Sequence, residues 1–256
     1  MTKLRILALH AHPDDIEFQC AGTLALLADA GHEITIATMT PGDCGSREYG
    51  PDEIAAIRRK EGERAAKLIG ARYECLEFRD LSIVVDLDAK RRVTEAIRRA
   101  RPDLVFTAPP VDYMDDHEAT SHLVRAAAFN ASCPNYKTRA WEPAEPTERI
   151  PHLIYVDAVE GIDLWGNALV PHFYVDVSDA FARKRDMLAC HESQRNWLRA
   201  QHGVDEYLDN QERWSGSRGK EIGVKYAEAF RQHRGHPYPG DNVLEKLLPG
   251  RVHKKS

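Results

Sequence analysis

The sequence predicts an α/β fold: a Rossmann-like, mostly parallel β-sheet with helices on both faces, formed by a single domain. Short apolar β-type runs alternate with helix-type segments in βαβαβαβα order through the first two-thirds of the chain, an order typical of parallel sheets. The length of 256 residues is enough for one large core. Hydrophobic residues make up 43% of the chain and charged residues 29%, which is ordinary for a globular protein.

The first strand and helix illustrate the pattern. Residues 4–11 form a short apolar run that predicts a buried strand. In the segment 16–30, apolar residues such as Ile16 and Leu24 share one helical face. We expect Gly31 to end this helix, because glycine tolerates the left-handed conformation of a helix cap.

The later elements follow from the same reasoning. Further strands are predicted at residues 33–40, 73–78, 104–108, 153–158 and 173–177. Further helices are predicted at residues 52–69, 89–100, 117–130, 181–199 and 219–232. We expect residues 3–200 to form the core of the single domain and residues 201–256 to form a C-terminal helical extension.

The net charge, the cysteines and the lack of a long apolar run argue against nucleic-acid binding, a cysteine zinc site and a membrane span. A net charge of −5 lacks the basic surface that nucleic-acid binding requires. Five scattered cysteines without a C-x-x-C pair indicate a reduced cytoplasm and no cysteine zinc site. No run approaches the ~20 apolar residues of a membrane span. We expect a cytoplasmic protein that acts on a small molecule, and the sequence leaves open whether it is a monomer or a homo-oligomer.

Two loops that follow predicted strands carry histidines and acids. They are His12-Pro13-Asp14-Asp15-Ile16-Glu17 and Asp112-Tyr113-Met114-Asp115-Asp116-His117. Each acid pair has a structural alternative, a capping box at a helix start. Because the loops after parallel strands meet at one edge of the sheet, however, both motifs should face the same crevice. Two histidines and several carboxylates there have the composition of a catalytic zinc site.

The first motif, with the apolar strand before it and Gly22-Thr23 after it, resembles the signature of the PIG-L (LmbE-like) deacetylases. The second loop resembles the His-Pro-Asp-His motif of that family, with Met114-Asp115-Asp116-His117 in its place. The resemblance extends from residue 5 to about residue 230. It includes Thr40-Pro41-Gly42-Asp43, Arg58-x-x-Glu61, Asp80, Lys184 and His191-x-Ser193-Gln194.

The resemblance implies a role for particular residues. The metal ligands would be His12, Asp15 and His117, which suit zinc, although ferrous iron can share such ligands. Asp14 would be the general base, since it adjoins a ligand without binding the metal. The residues expected to contact a sugar substrate are Asp43, Arg47 and Asp80.

Met114 stands where many family members carry a histidine that stabilises the oxyanion or protonates the leaving group. A thioether cannot donate a hydrogen bond, so either the metal acts alone or another residue supplies the contact. We predict His191 as the substitute catalytic residue, with His233 and His236 as the other candidates.

The family resemblance implies a zinc-dependent hydrolase that removes an acyl group, most simply acetyl, from an N-acylated amino sugar or its conjugate. One alternative is a zinc amidase that acts on a non-sugar amide, such as a thiol conjugate or an acylated antibiotic. Another is a sugar-binding or metal-binding relative without turnover, an alternative raised by Met114 but disfavoured by the free carboxylate of Asp14.

Overall fold

The computed structural model describes residues 3–196 and 206–254. The strands are β1 (Arg5–His10), β2 (Glu33–Thr38), β3 (Arg72–Cys75), β4 (Leu104–Thr107), β5 (His152–Val156), β6 (Phe173–Asp176), β7 (Ala227–Gln232) and β8 (Val252–Lys254). The helices are α1 (Asp15–Gln19), α2 (Ala21–Asp29), α3 (Pro51–Lys67), α4 (Leu87–Ala100), α5 (Asp115–Asn130), α6 (Phe181–Ala189), α7 (Glu206–Ile222) and α8 (Leu244–Leu247). In these ranges no helix is long and apolar enough to cross a membrane.

The strands form one sheet in the order β3-β2-β1-β4-β5-β7-β6-β8. The first five strands in this order pair in parallel, and the last three are antiparallel. Helices α2 and α6 pack on one face of the sheet, and α4 and α5 pack on the other. The predicted fold class, a mostly parallel sheet with helices on both faces, is confirmed.

The first predicted helix is divided in two. Helices α1 and α2 meet at Cys20, whose φ of −136° and ψ of 11° interrupt the helical backbone. Gly31 follows the second helix with φ of +88°, the left-handed conformation expected of it.

The prediction of a helix at residues 219–232 is wrong. Helix α7 ends at Ile222, Gly223 turns the chain with φ of +76°, and β7 begins at Ala227. The segment A-E-A-F-R-Q favours a helix by local propensity, but it pairs between β5 and β6 as a mostly buried strand. Residues 201–256 are therefore not only helical, because they contribute β7 and β8 to the main sheet.

The other late helix was predicted as continuous from residue 181 to residue 199. Helix α6 ends at Ala189, and residues 192–196 are helical again. The remaining residues of that prediction, 197–199, and the expected boundary at residue 200 lie outside the described residues.

The topology brings the two acidic loops together. Strands β1 and β4 are adjacent and parallel, with Leu9 opposite Thr107 near their carboxyl ends. The chain leaves β1 into the loop that precedes α1, and it leaves β4 into the loop that precedes α5. Both loops therefore meet at one edge of the sheet, where α/β proteins commonly bind ligands.

Candidate metal centre

Three side chains of the two motifs lie close together: His12 in the loop after β1, Asp15 at the start of α1 and His117 in the first turn of α5. His12 Nδ1 lies 3.4 Å from Asp15 Oδ2, and His117 Nε2 lies 3.4 Å from Asp15 Oδ1. Two ligands of a tetrahedral zinc ion, each bound at ~2.0–2.2 Å, lie roughly 3.3 Å apart. Each histidine lies at such a spacing from a different oxygen of Asp15, and the ligand set His12, Asp15 and His117 stays a prediction.

The outer nitrogen of each histidine faces a carboxylate. His117 Nδ1 lies 3.0 Å from Asp112 Oδ1. His12 Nε2 lies 3.0 Å from Asp80 Oδ1 and 3.3 Å from Asp116 Oδ2. Such contacts fix the tautomer and the ring orientation of a metal-binding histidine, so that the inner nitrogens are left free for a cation.

The carboxylates also favour positive charge at both imidazoles. Burial alone would lower the pKa of His12, but hydrogen bonds to Asp116, Asp15 and Asp80 hold that pKa well above its usual range. For His117, burial is likewise outweighed, chiefly by the charge of Asp15, and its pKa is about 9. Either protons or a divalent cation can supply the positive charge that this arrangement requires.

His10 was not singled out by sequence analysis, yet it contacts the centre. Its Nδ1 lies 2.6 Å from Asp15 Oδ2, and its ring packs edge-on against His117. The ligand atoms of His10, Asp15 and His117 also lie within 4.8 Å of one another, as do those of His12, Asp80 and Asp116. The structure thus offers two groups of possible ligands, and His12, rather than His10, as the partner of Asp15 and His117 stays a prediction.

Asp14 does not cap α1, which removes the structural alternative for this residue. It lies at the cap position, but its side chain makes no capping hydrogen bond, and its φ is 108°. A positive φ is strained for a non-glycine residue and is often found at functional sites. Oδ2 of Asp14 instead accepts from the Tyr207 hydroxyl at 2.6 Å and from Arg58 Nη2 at 3.4 Å.

The two adjacent aspartates differ electrostatically. Burial raises the pKa of Asp14, and the nearby Arg58 guanidinium opposes that shift only in part. Burial acts in the same direction on Asp15, but His10 and His117 hold its pKa well below the usual range. Asp15 is therefore suited to remain an ionised ligand, whereas Asp14 is suited to exchange a proton.

Arg58 fixes the loop on which Asp14 lies. Its Nη2 donates to the carbonyl of Pro13 at 2.7 Å, and its Nη1 donates to the carbonyl of Gly42 at 3.3 Å. Gly42 has φ of +71°, and a Cβ there would lie 2.2 Å from Arg58 Nη1. Glycine is therefore required for the approach of the guanidinium, which explains part of the Thr40-Pro41-Gly42-Asp43 motif.

The residues predicted to bind substrate occupy different positions. Asp80 is buried against His12, and its backbone N–H donates to Asp43 at 3.0 Å. Both residues are buried, and their contact with a substrate stays a prediction. Arg47 lies in the loop after β2, is exposed and lines a cleft of about 280 Å³. Its contact with a substrate stays a prediction.

The histidines proposed as substitutes for Met114 are not in the opening of the site. His191 is fully buried with Nε2 3.5 Å from Glu17 Oε1, which argues against direct contact with an oxyanion. His233 Nδ1 contacts the Tyr155 hydroxyl at 3.0 Å, and His236 is exposed before a cis peptide bond. Their catalytic roles stay predictions.

Tyr113, which sequence analysis did not single out, precedes Met114 and carries a hydroxyl that can donate a hydrogen bond. Its residue is 67% exposed, and its ring centroid lies 5.5 Å from that of His117. Partial burial, followed by the charge of Asp15, raises the pKa of its phenol, so the hydroxyl remains a hydrogen-bond donor. The sequence offered one indication of this residue: Tyr113 precedes Met114, the position at which the motif differs from that of the family.

Several known proteins are similar to this chain. Diacetylchitobiose deacetylase of Thermococcus kodakarensis is 25% identical over 203 residues, which cover 74% of this chain and 70% of that protein. 4-Oxalmesaconate hydratase of Pseudomonas putida is 26% identical over 160 residues, which cover 56% of this chain and 62% of the hydratase, less than two-thirds of its length.

A similar fold is found in a solved structure. N,N'-diacetylchitobiose deacetylase from Pyrococcus horikoshii superposes with a TM-score of 0.76 at 25% identity, covering 91% of this chain and 86% of that one. The family model for GlcNAc-PI de-N-acetylase matches residues 7–128, a range that includes both acidic loops. Residues 7–128 therefore match the PIG-L family, as the resemblance of the two motifs predicted.

Proposed function

We propose that the protein is a zinc-dependent hydrolase that removes an acyl group, most simply acetyl, from an N-acylated amino sugar or its conjugate. The observation that carries the proposal is the separation of two adjacent aspartates. Asp15 faces two histidine nitrogens as a ligand, while Asp14 lies beside them without a contact to either ring. A metal site with a free carboxylate next to it is the arrangement that amide hydrolysis requires.

The residues of the chain divide the chemistry between them. His12, Asp15 and His117 would hold the ion, which supplies Lewis acidity toward the amide carbonyl and activates water. Asp14 takes a proton from the attacking water and passes it to the leaving nitrogen. Arg58 holds the Asp14 loop through the Pro13 carbonyl, so the carboxylate stays beside the centre.

The substrate class is supported by the relatives and by the neighbouring cleft. Two similar proteins are deacetylases of diacetylchitobiose, an N-acetylated sugar. The cleft of about 280 Å³ offers Arg47, Tyr49 and Ser46 to the portion of a substrate beyond the amide. Sugar recognition commonly combines such aromatic and polar groups, and the size admits a sugar ring or a small conjugate.

The direct test measures amine release. The purified protein would be incubated with N-acetylglucosamine, N,N'-diacetylchitobiose and an N-acetylated thiol conjugate, before and after chelation and zinc addition. We expect zinc-restored release from at least one N-acetyl sugar, and no release by the His117→Ala variant. Release only from the thiol conjugate would support the non-sugar amidase.

Two other results would contradict amide hydrolysis, and a third would contradict the proposed metal ligands. Hydration of an unsaturated dicarboxylate without amine release would favour the chemistry of the hydratase relative. Stoichiometric zinc with no turnover of any compound would favour the binding protein without turnover. Stoichiometric metal that survives both His12→Ala and His117→Ala would place the metal elsewhere.

A further inference from the structure

Tyr207 reaches the metal centre from the C-terminal part of the chain. It lies in the first turn of α7, and its hydroxyl donates to Asp14 Oδ2 at 2.6 Å across a sequence separation of 193 residues. A short O–H···O contact to a carboxylate belongs to the stronger class of hydrogen bonds. This contact joins the end of the chain to the residue proposed as general base.

The position of Tyr207 is fixed by its neighbours. One helical turn later, the buried Gln211 donates to the carbonyl of Glu17 in α1 at 3.0 Å. The ring of Tyr207 also lies 6.2 Å from that of Phe18, a usual spacing for a packed aromatic pair. Residues four apart lie on the same helical face, so these contacts dock α7 against α1 and direct the phenol at Asp14.

Both hydrogen bonds that the described part of the chain gives to the Asp14 carboxylate go to one oxygen. Tyr207 and Arg58 each donate to Oδ2. Two donors on one oxygen fix the rotation of the carboxylate and leave Oδ1 to act on another group. Asp15 is held in a similar way, since its Oδ2 contacts His10 Nδ1 and the backbone N–H of His12.

We propose that Tyr207 is a positioning residue for Asp14: its hydroxyl holds Oδ2, so that Oδ1 is the oxygen that receives the proton of the attacking water. The inference rests on the proposed function. In this step a water O–H bond breaks and an O–H bond forms at Oδ1, while the water oxygen bonds to the amide carbon and the π electron pair of the carbonyl moves onto the carbonyl oxygen. Tyr207 keeps its proton throughout.

The contacts of Tyr207 favour a donor role over a packing role. Burial and the charge of Asp14 raise the pKa of the phenol, so the hydroxyl stays protonated beside the carboxylate. Phenylalanine would keep the contact with Phe18 and lose only the hydrogen bond. The chemistry of the hydroxyl can therefore be separated from the packing of the ring.

The test compares Tyr207→Phe with Tyr226→Phe. Tyr226 is a matched control, because its hydroxyl donates to Glu212 Oε1 at 2.7 Å and its ring stacks on Phe181, with no contact to the centre. For amine release from N,N'-diacetylchitobiose or N-acetylglucosamine, we expect Tyr207→Phe to lower kcat by roughly 10- to 100-fold. KM and zinc content should remain those of the wild type, and Tyr226→Phe should retain full kcat.

A second pair of variants separates this inference from the proposed function. In an Asp14→Asn background, adding Tyr207→Phe should cause little further loss, because the two residues act as one unit. Full activity of Asp14→Asn would contradict the proposed function itself. An inactive Asp14→Asn variant together with a fully active Tyr207→Phe variant would contradict only the role of Tyr207.

Crystal structures of the zinc-loaded wild type and the Tyr207→Phe variant test the orientation of the Asp14 carboxylate without a substrate. We expect the Asp14 carboxylate to rotate in the variant while the geometry of His12, Asp15 and His117 is unchanged. An Asp14 carboxylate in the same orientation in both structures would overturn the proposal. Thermal unfolding of both tyrosine variants checks that a loss of activity does not come from a loss of folding.

Discussion

Lys184 Nζ lies 2.6 Å from Glu228 Oε1, and both side chains are buried. Glu228 belongs to β7, and its carboxylate also accepts from the backbone N–H groups of Gly22 and Thr23 at 2.9 and 2.8 Å. These are the first-turn amides of α2, so a carboxylate from β7 caps the second helix after the metal-binding loop. The pair thus links β7 to the segment that follows α1.

Removing one partner of this pair should destabilise the protein. Lys184→Met or Glu228→Gln leaves a buried charge unpaired, and we expect each to lower the free energy of unfolding by about 3–5 kcal/mol. The double variant should lose less than the sum of the two. Urea unfolding measures these values.

The neighbouring Arg183 provides the matched control. It pairs with Asp29 at the surface, so Arg183→Met should cost less than about 1 kcal/mol. Equal losses in Lys184→Met and Arg183→Met would show that burial of the pair has no special importance.

Asp112 should control metal affinity without being a ligand. Its Oδ1 orients His117 through Nδ1, and its side chain is fully buried. We expect Asp112→Asn to weaken zinc binding by about 10- to 100-fold, the usual effect of removing a carboxylate behind a metal-binding histidine. Competition with a fluorescent zinc chelator measures the change. The control is Asp115→Asn on the same loop, where the residue is exposed and the affinity should not change.

The roles of the two adjacent aspartates should separate in one experiment. Asp14→Asn should retain zinc and lower kcat by about 10²-fold or more, the scale expected for a general base. Asp15→Asn should lose zinc, because Asp15 faces both histidine nitrogens. Zinc content and kcat are measured on the same preparations. Normal turnover by Asp14→Asn would leave its positive φ without a catalytic explanation.

The parallel half of the fold could be predicted because its signals are local. Apolar runs and helical periodicity mark β1 to β4 and the helices between them, and the first motif marks the loop after β1. β7 was missed because its sequence favours a helix, and only pairing with β5 and β6 makes it a strand. Such pairing is a tertiary effect that propensity does not contain.

The candidate site also has a part that could be predicted from the sequence and a part that could not. The two motifs could be recognised in the sequence, and the resemblance to a known family implied which of their residues bind a metal. The contacts that orient them were not, since Asp116 meets His12 across 104 residues and Tyr207 meets Asp14 across 193. The contact between the carboxylate of Asp80 and His12 was not predicted either, and the substrate-binding role of Asp80 stays a prediction. The amino-acid sequence alone does not indicate which aspartate will contact which histidine.

At Met114 the chain lacks the histidine that many family members use to stabilise the oxyanion or to protonate the leaving group. Met114 lies at the start of α5 with a thioether that cannot donate, so Met114→Ala should leave kcat within about a factor of three. Tyr113 is exposed beside His117 and carries a hydroxyl, so Tyr113→Phe should lower kcat by ~10²–10³-fold, the scale for one oxyanion donor. His191→Gln tests the sequence prediction in parallel, and zinc content is measured for every variant.

A loss of kcat in His191→Gln, together with a normal kcat in Tyr113→Phe, would assign the role of oxyanion donor to His191 despite its burial. Full activity of both variants would leave the metal ion as the main electrophile, because no side chain tested would then stabilise the oxyanion.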